Sequence, residues 1–248
     1  SIGAGVFALQ ATTDQLAGDR AISATDLTRL EKQPTAQLVE SKIGLIDQAI
    51  RQQPRRAALY RQRALWRFAR YRLRVMEAAE DSGVEIPWTN TRRELLFNAL
   101  TLNGDEVALA IRGDLLDGEE KRQAISAAIS DLARSLACNP LAPQPHIDCA
   151  YLSPLVSMPV QEWTRSAAPL LNNSYTMLFT NGLIAFYTDD LELAIDQWQK
   201  SLSISRLHSV DIYELAEHRL PPIRVAKELI PRQRPDLLIR LMRTVADR

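Results

Sequence analysis

The chain has 248 residues, and its 30 basic and 30 acidic side chains leave no formal net charge. This excludes a whole-molecule attraction to nucleic acid or membrane and confines any such contact to local patches. Apolar residues at 46% suit a folded protein, 9 glycines are few for a fold of many short strands, and 2 cysteines and 3 histidines leave little for a disulfide framework or a metal.

The first ten residues, SIGAGVFALQ, are apolar and uncharged, and no cationic segment precedes them. Two expectations follow: the exit of a membrane helix in a longer protein, or a segment packed on the domain. The periodicity that follows is helical almost throughout. Helices are expected at residues 11–20 and from Asp26 to just before Pro34, then from Thr35 to Gln53 with Leu38, Ile43, Ile46 and Ile50 on one stripe. Pro54 ends that helix because it has no N–H to donate. A long helix over Ala57–Ala79 stops at Asp81-Ser82-Gly83, and a loop follows to Pro87.

Thr91 and Glu94 have the spacing of a capping box, which predicts a helix from Arg92 to about Asn103. Shorter and longer helices follow at Asp105–Arg112 and Glu119–Cys138. The prolines of NPLAPQP (139–145) predict a bend. Beyond it, helices are expected at His146–Leu152, Pro159–Leu171, Ser174–Tyr187, Asp190–Ile204, Val210–Arg219, Pro222–Ile230 and Pro235–Ala246. Proline in the first turn of the last two costs no hydrogen bond. No strand is convincing. The uncharged stretch from Ser166 to Thr188 is long enough to span a bilayer, but Pro169, Asn172, Asn173 and Ser174 interrupt it, so it reads as a buried helix–turn–helix. Cys138 and Cys149 read as buried free thiols, with a disulfide between them as the alternative in a periplasmic chain.

Residues 175–206 carry the clearest internal pattern. Leu178 and then Gly182 stand four apart on the first helix, and Phe186-Tyr187 close it. Asp189-Asp190 make the turn, and Ala194, Trp198 and Ser201 follow on the second helix. This unit resembles a tetratricopeptide repeat, in which small residues let two helices cross closely and a large aromatic fills the groove. The family's closing proline is replaced by Arg206. Weaker echoes occur at Ala128, Leu132, Ser135 and Asn139-Pro140 before His146 and Ala150, and at Ile46, Ala49 and Pro54 before Tyr60 and Ala64. The resemblance implies an all-α, right-handed array of antiparallel helical hairpins, with lead-in and capping helices at residues 1–34 and repeats over 35–248. It also implies a concave groove on the first helices that binds a protein or peptide. Asn181, Ile184, Tyr187 and Thr188 are the candidate groove residues.

In the order of its features the chain is also similar to the extramembrane tail of bacterial O-antigen ligase or polymerase-like membrane proteins. Those features are the apolar start, an arginine-rich helix, the Ile86–Thr89 loop and the NPLAPQPH bend. That similarity implies a regulatory tail on the periplasmic or extramembrane side of a glycan-handling enzyme; a free scaffold would instead be expected in the cytoplasm.

Arg51–Arg74 contains nine arginines and no acid, and Arg56, Arg63, Arg67, Arg70 and Arg74 share one helix face. Arg63, Arg67, Arg70 and Arg74 are a candidate anion-binding face for an acidic glycan or anionic lipid. The competing expectation is pairing with acids such as Glu94 or Asp105 among the eleven between Glu77 and Glu120. His146, His208 and His218 lack ligand spacing, and His218 suits a helix C-terminus. Asp189, Asp190 and Glu192 suit a turn better than an acid/base pair. Cys149 lies one helical turn from His146, but no orienting group or oxyanion site accompanies them. No phosphate loop, nucleophile elbow or dinucleotide fingerprint is present. The expectation is therefore a non-catalytic chain with no cofactor, metal or nucleic-acid partner.

Overall fold

The computed structural model describes residues 22–23, 33–81, 83, 88, 118–171 and 173–246, with side chains to residue 242. The helices expected at 11–20, 26–33, 92–103 and 105–112, and the apolar start, lie outside the described residues. Among the described residues the protein is all-α, with no strand. None of these helices is long and apolar enough to cross a membrane. The chain divides into two compact units, Ser1–Met158 and Pro159–Arg248.

In the first unit, Thr35 caps α1 (Ala36–Gln52) by accepting the Leu38 N–H at 3.2 Å. Pro54 follows the helix, and α2 (Ala57–Asp81) begins three residues later. The two helices bury Val39, Ile43, Ile46 and Ala49 of α1 against Leu59, Trp66, Ala69 and Leu73 of α2. Trp88 packs on this cluster, and the guanidinium of Arg72 lies 3.6 Å over its ring while donating to its carbonyl.

α3 (Gly118–Cys138) carries buried Ile125, Ala128, Ile129, Leu132 and Leu136. It is followed by α4 (Pro143–Leu152) and a tight 3₁₀ turn, Ser153–Val156. The bend expected over 139–145 is confined to residues 139–142, and α4 starts three residues earlier than expected. Pro143 and Pro145 fall in its first turn, where the missing N–H groups have no intrahelical partner to lose.

In the second unit, the helix expected over Pro159–Leu171 is α5 (Gln161–Ala167) with a 3₁₀ extension, Ala168–Leu170. Pro169 cannot donate to a continuing α-turn. Ser174 caps α6 (Tyr175–Tyr187) and Asp190 caps α7 (Leu191–Ile204), each accepting an N–H three residues on. The turn between them holds Asp189 at φ 64°, the left-handed region that aspartate tolerates better than most residues. α8 (Ser209–Glu217), α9 (Pro222–Arg224), a wide π-type turn (Val225–Leu229) and α10 (Pro235–Ala246) complete the unit. Their core joins Phe186, Ala194, Trp198 and Leu202 to Ile212, Tyr213, Val225, Leu237 and Leu241.

Candidate functional site

The arginines of α2 stand between two neighbouring helices. Arg63 donates from Nη1 to Asp47 of α1 at 2.6 Å and forks onto both oxygens of Asp131 of α3, at 2.9 and 2.6 Å. Arg67 reaches the same Asp131 at 2.9 Å and also donates to the Ala127 carbonyl. Arg70 pairs with Glu40 of α1 at 3.2 Å, and Arg74 pairs with Glu120 of α3. Arg61 adds a pair with buried Asp148 of α4 at 2.7 Å.

These pairs fix helix direction. Along α2 from Ala57 to Arg74, the partners on α3 run backwards from Ser135, whose hydroxyl donates to the Ala57 carbonyl, through Asp131 to Glu120. On α1 they run backwards from Asp47 to Glu40. α2 is therefore antiparallel to both neighbours, and each antiparallel pair is laced by ion pairs.

Asp131 is only 2% exposed, so its charge depends on the two guanidiniums that hold it. Burial alone would lower the pKa of Arg63, but its hydrogen bonds to Asp131 and Asp47 and the charges of both acids outweigh that and raise it. The candidate anion-binding face of Arg63, Arg67, Arg70 and Arg74 is thereby corrected: each guanidinium already has an acid inside the unit. The acids come mostly from α1 and mid-α3, which helix spacing alone does not bring forward; Glu94 and Asp105 lie outside the described residues. A cleft of about 300 Å³ does open beside Arg70, Tyr71, Arg74, Glu120 and Gln123. Burial first, and then the charge of Glu120, push the Tyr71 phenol upward, so it stays neutral.

In the second unit α6 and α7 form a close antiparallel hairpin. The Ser201 hydroxyl donates to the Tyr175 carbonyl at 2.9 Å, and Trp198 Nε1–H donates to the Phe179 carbonyl at 3.3 Å. A Cβ placed on Gly182 would stand 2.5 Å from Cδ1 of Trp198 and 3.2 Å from the Ala194 carbonyl oxygen. Only glycine lets the indole lie flat against the α6 backbone. Trp198 is fully buried and tilts against Phe186 with ring centroids 5.3 Å apart. At the turn, Arg219 lies 4.6 Å over the Phe186 ring and pairs with Asp189 at 2.5 Å, while Arg165 pairs with Asp190 at 3.0 Å. The turn acids thus hold the hairpin in place.

The candidate groove residues do not share a surface. Asn181 and Ile184 are both 0% exposed. Asn181 donates to the Thr164 carbonyl at 3.1 Å and to Gln197 at 3.4 Å, so it ties α6 to α5 and α7. Both are corrected from groove to core, because the apolar face of α6 is wider than one stripe. Tyr187 and Thr188 are half-buried, and the Thr188 hydroxyl donates to its own helix's carbonyls. α6 exposes Thr176, and half-buried Thr180, Leu183 and Tyr187 follow it at four-, three- and four-residue steps. The two threonines that precede Leu183 on this line were the available signal.

His146 Nε2 faces the Pro140 carbonyl at 3.1 Å, a bond that fixes the start of α4. Cys149 is buried and its thiol is pushed up to about 12, first by burial and then by the charge of Asp148, which disfavours a thiolate. Cys138 is free as well but exposed, because it ends α3 at the surface. Among the described residues no three His, Cys, Asp or Glu side chains gather as metal ligands.

Among its described residues the chain is an all-α protein of two compact units. No family model, curated protein or solved structure matches it.

Proposed function

We propose that the chain is a non-catalytic interaction scaffold whose hairpins are of the tetratricopeptide kind, wound in a right-handed array. The observation that carries this reading is the α6–α7 crossing. Gly182, Ala194, Trp198 and Ser201 sit where the repeat pattern needs small, small, large and small residues, and they make the contacts those sizes allow. A hairpin braced on its inner side by Trp198 presents the outer side of its first helix rigidly. Thr176, Thr180, Leu183 and Tyr187 then form the stripe that meets a protein or peptide.

The test is selection of displayed peptides on the immobilised chain, followed by calorimetric titration of those enriched. Saturable one-to-one binding is expected, lost in Thr180→Arg/Leu183→Arg at an unchanged thermal midpoint. Failure to enrich any peptide, or binding indifferent to that double variant, rejects the reading.

A further inference from the structure

The cleft of about 300 Å³ in the first unit is bordered by Arg70, Tyr71 and Arg74 of α2 and by Glu120 and Gln123 of α3. Its size is at the lower end for small-molecule sites, about 300–1,000 Å³. Tyr71 is 3% exposed, and its hydroxyl makes no hydrogen bond among the described residues. Buried hydroxyls are nearly always partnered, so this one stands out in the wall of the cleft. The two walls differ in character. On α2, Arg70 uses one N–H on Glu40 and Arg74 uses one on Glu120, so each guanidinium keeps further N–H groups open. Tyr71 adds a neutral O–H. On α3, Glu120 takes Arg74 on Oε1 and keeps Oε2 open, while Gln123 spends its Nε2 on Glu119 at 3.1 Å and keeps its carbonyl oxygen open. Open donors therefore line the α2 wall and open acceptors the α3 wall. Ala124 and Ala127 add a small apolar lining.

We infer that this cleft binds a free α-amino acid, its carboxylate on the open N–H groups of Arg70 and Arg74 and on the Tyr71 hydroxyl, and its ammonium on Glu120 Oε2 and the Gln123 carbonyl oxygen. The polarity of the walls selects this class. A net anion meets the Glu120 carboxylate, and a net cation meets two guanidiniums. A neutral polyol meets neither penalty but gains nothing from the charges. A zwitterion sets an unlike charge against each wall. The two charges of an α-amino acid lie close together, and the walls come near enough for Arg74 and Glu120 to pair across the cleft. The internal ion pairs that correct the arginine row as a site for net anions stay in place, because the ligand uses donors and acceptors that they leave open. The inference rests on the first unit alone and is independent of the hairpin reading above.

The experiment is calorimetric titration of the whole chain with each common α-amino acid, and with glucose and inorganic phosphate as neutral and anionic probes. Saturable one-to-one binding of one or a few amino acids is expected. The N-acetyl and carboxamide forms of the best one should bind roughly tenfold more weakly or worse, since each lacks one charge. Tyr71→Phe should weaken binding by roughly fivefold, while the unliganded variant keeps or raises the thermal midpoint, because the hydroxyl has no internal bond to lose. Arg70→Gln/Glu120→Gln should weaken binding by roughly tenfold or more at a midpoint near that of the wild type, because both side chains are partly exposed. Failure of every amino acid to bind overturns the inference. So does binding that neither variant changes, or that the one-charge forms match. Glucose binding without amino-acid binding makes the cleft a polyol site, and phosphate binding lost in Arg70→Gln without amino-acid binding makes it an anion site; either result overturns the inference.

Discussion

Where α2 meets α3 in the first unit, Arg63, Arg67 and Arg74 reach across to Asp131 and Glu120. Where α6 meets α7 in the second, the close approach is made by Gly182, Ala194 and Trp198. Both are antiparallel pairs of helices, but one is registered by charge and the other by shape. A charge ladder tolerates spacing errors of a few tenths of an ångström, since long side chains adjust. A glycine under an indole does not. The first pairing should therefore respond to changes in charge at constant size, and the second to changes in size at constant polarity.

The sharpest break in the shape-held pair is Trp198→Ala. It removes a fully buried indole and the bond to the Phe179 carbonyl, and should cost about 3–5 kcal/mol. Gly182→Ala adds one methyl group 2.5 Å from the Trp198 ring and should cost ~1–3 kcal/mol. Denaturant unfolding of the two variants checks both figures. A Gly182→Ala protein as stable as the wild type would show that the crossing is not close.

Alkaline pH acts through groups held neutral by burial. Cys149 rises from 9.0 to about 12, and Tyr213, whose hydroxyl donates to the Leu237 carbonyl, rises from 10.0 to about 12. Both folded values lie above the unfolded ones. Their contribution to stability is therefore whole below about pH 9 and is lost as pH climbs to about 12, because the unfolded chain ionises first. A thermal midpoint that falls progressively across that window is expected. In the native protein at neutral pH, a thiol reagent should modify exposed Cys138 promptly and Cys149 only on unfolding. Equal rates would contradict the burial of Cys149.

The smallest effect belongs to the outer rung of the ladder. Arg70 and Glu40 are 42% and 57% exposed, so Arg70→Ala should cost less than about 1 kcal/mol. A larger loss would mean that the ladder stabilises at its solvent end as well as at its buried centre.

Helix positions were legible in the sequence because caps and prolines act locally. Thr35, Ser174 and Asp190 begin helices where their side chains can accept an N–H, and Pro235 opens α10 as expected. The shift at α4 came from weighing Pro143 and Pro145 as breakers when they stand in a first turn. The close contact of Gly182 with Trp198 was legible because size and spacing together restrict what can cross. The arginine partners were less so. Asp47 and Asp131 lie sixteen and sixty-eight residues from Arg63, and nothing in local periodicity links them. Asn181 misled for a related reason: a polar residue suggests a surface, and its burial rests on Thr164 and Gln197, which only the fold brings near.

The centre of the charge-held pair is the bond between Arg63 and Asp131, and a double-mutant cycle measures it directly. Arg63→Gln, Asp131→Asn and the double variant would be unfolded in denaturant beside the wild type. A coupling of about 1–3 kcal/mol is expected, because Asp131 is buried and takes two bonds from Arg63. A coupling near zero, joined by salt-dependent binding of an acidic polymer that is lost in Arg63→Ala/Arg67→Ala/Arg70→Ala, would contradict it and return the arginine row to a ligand.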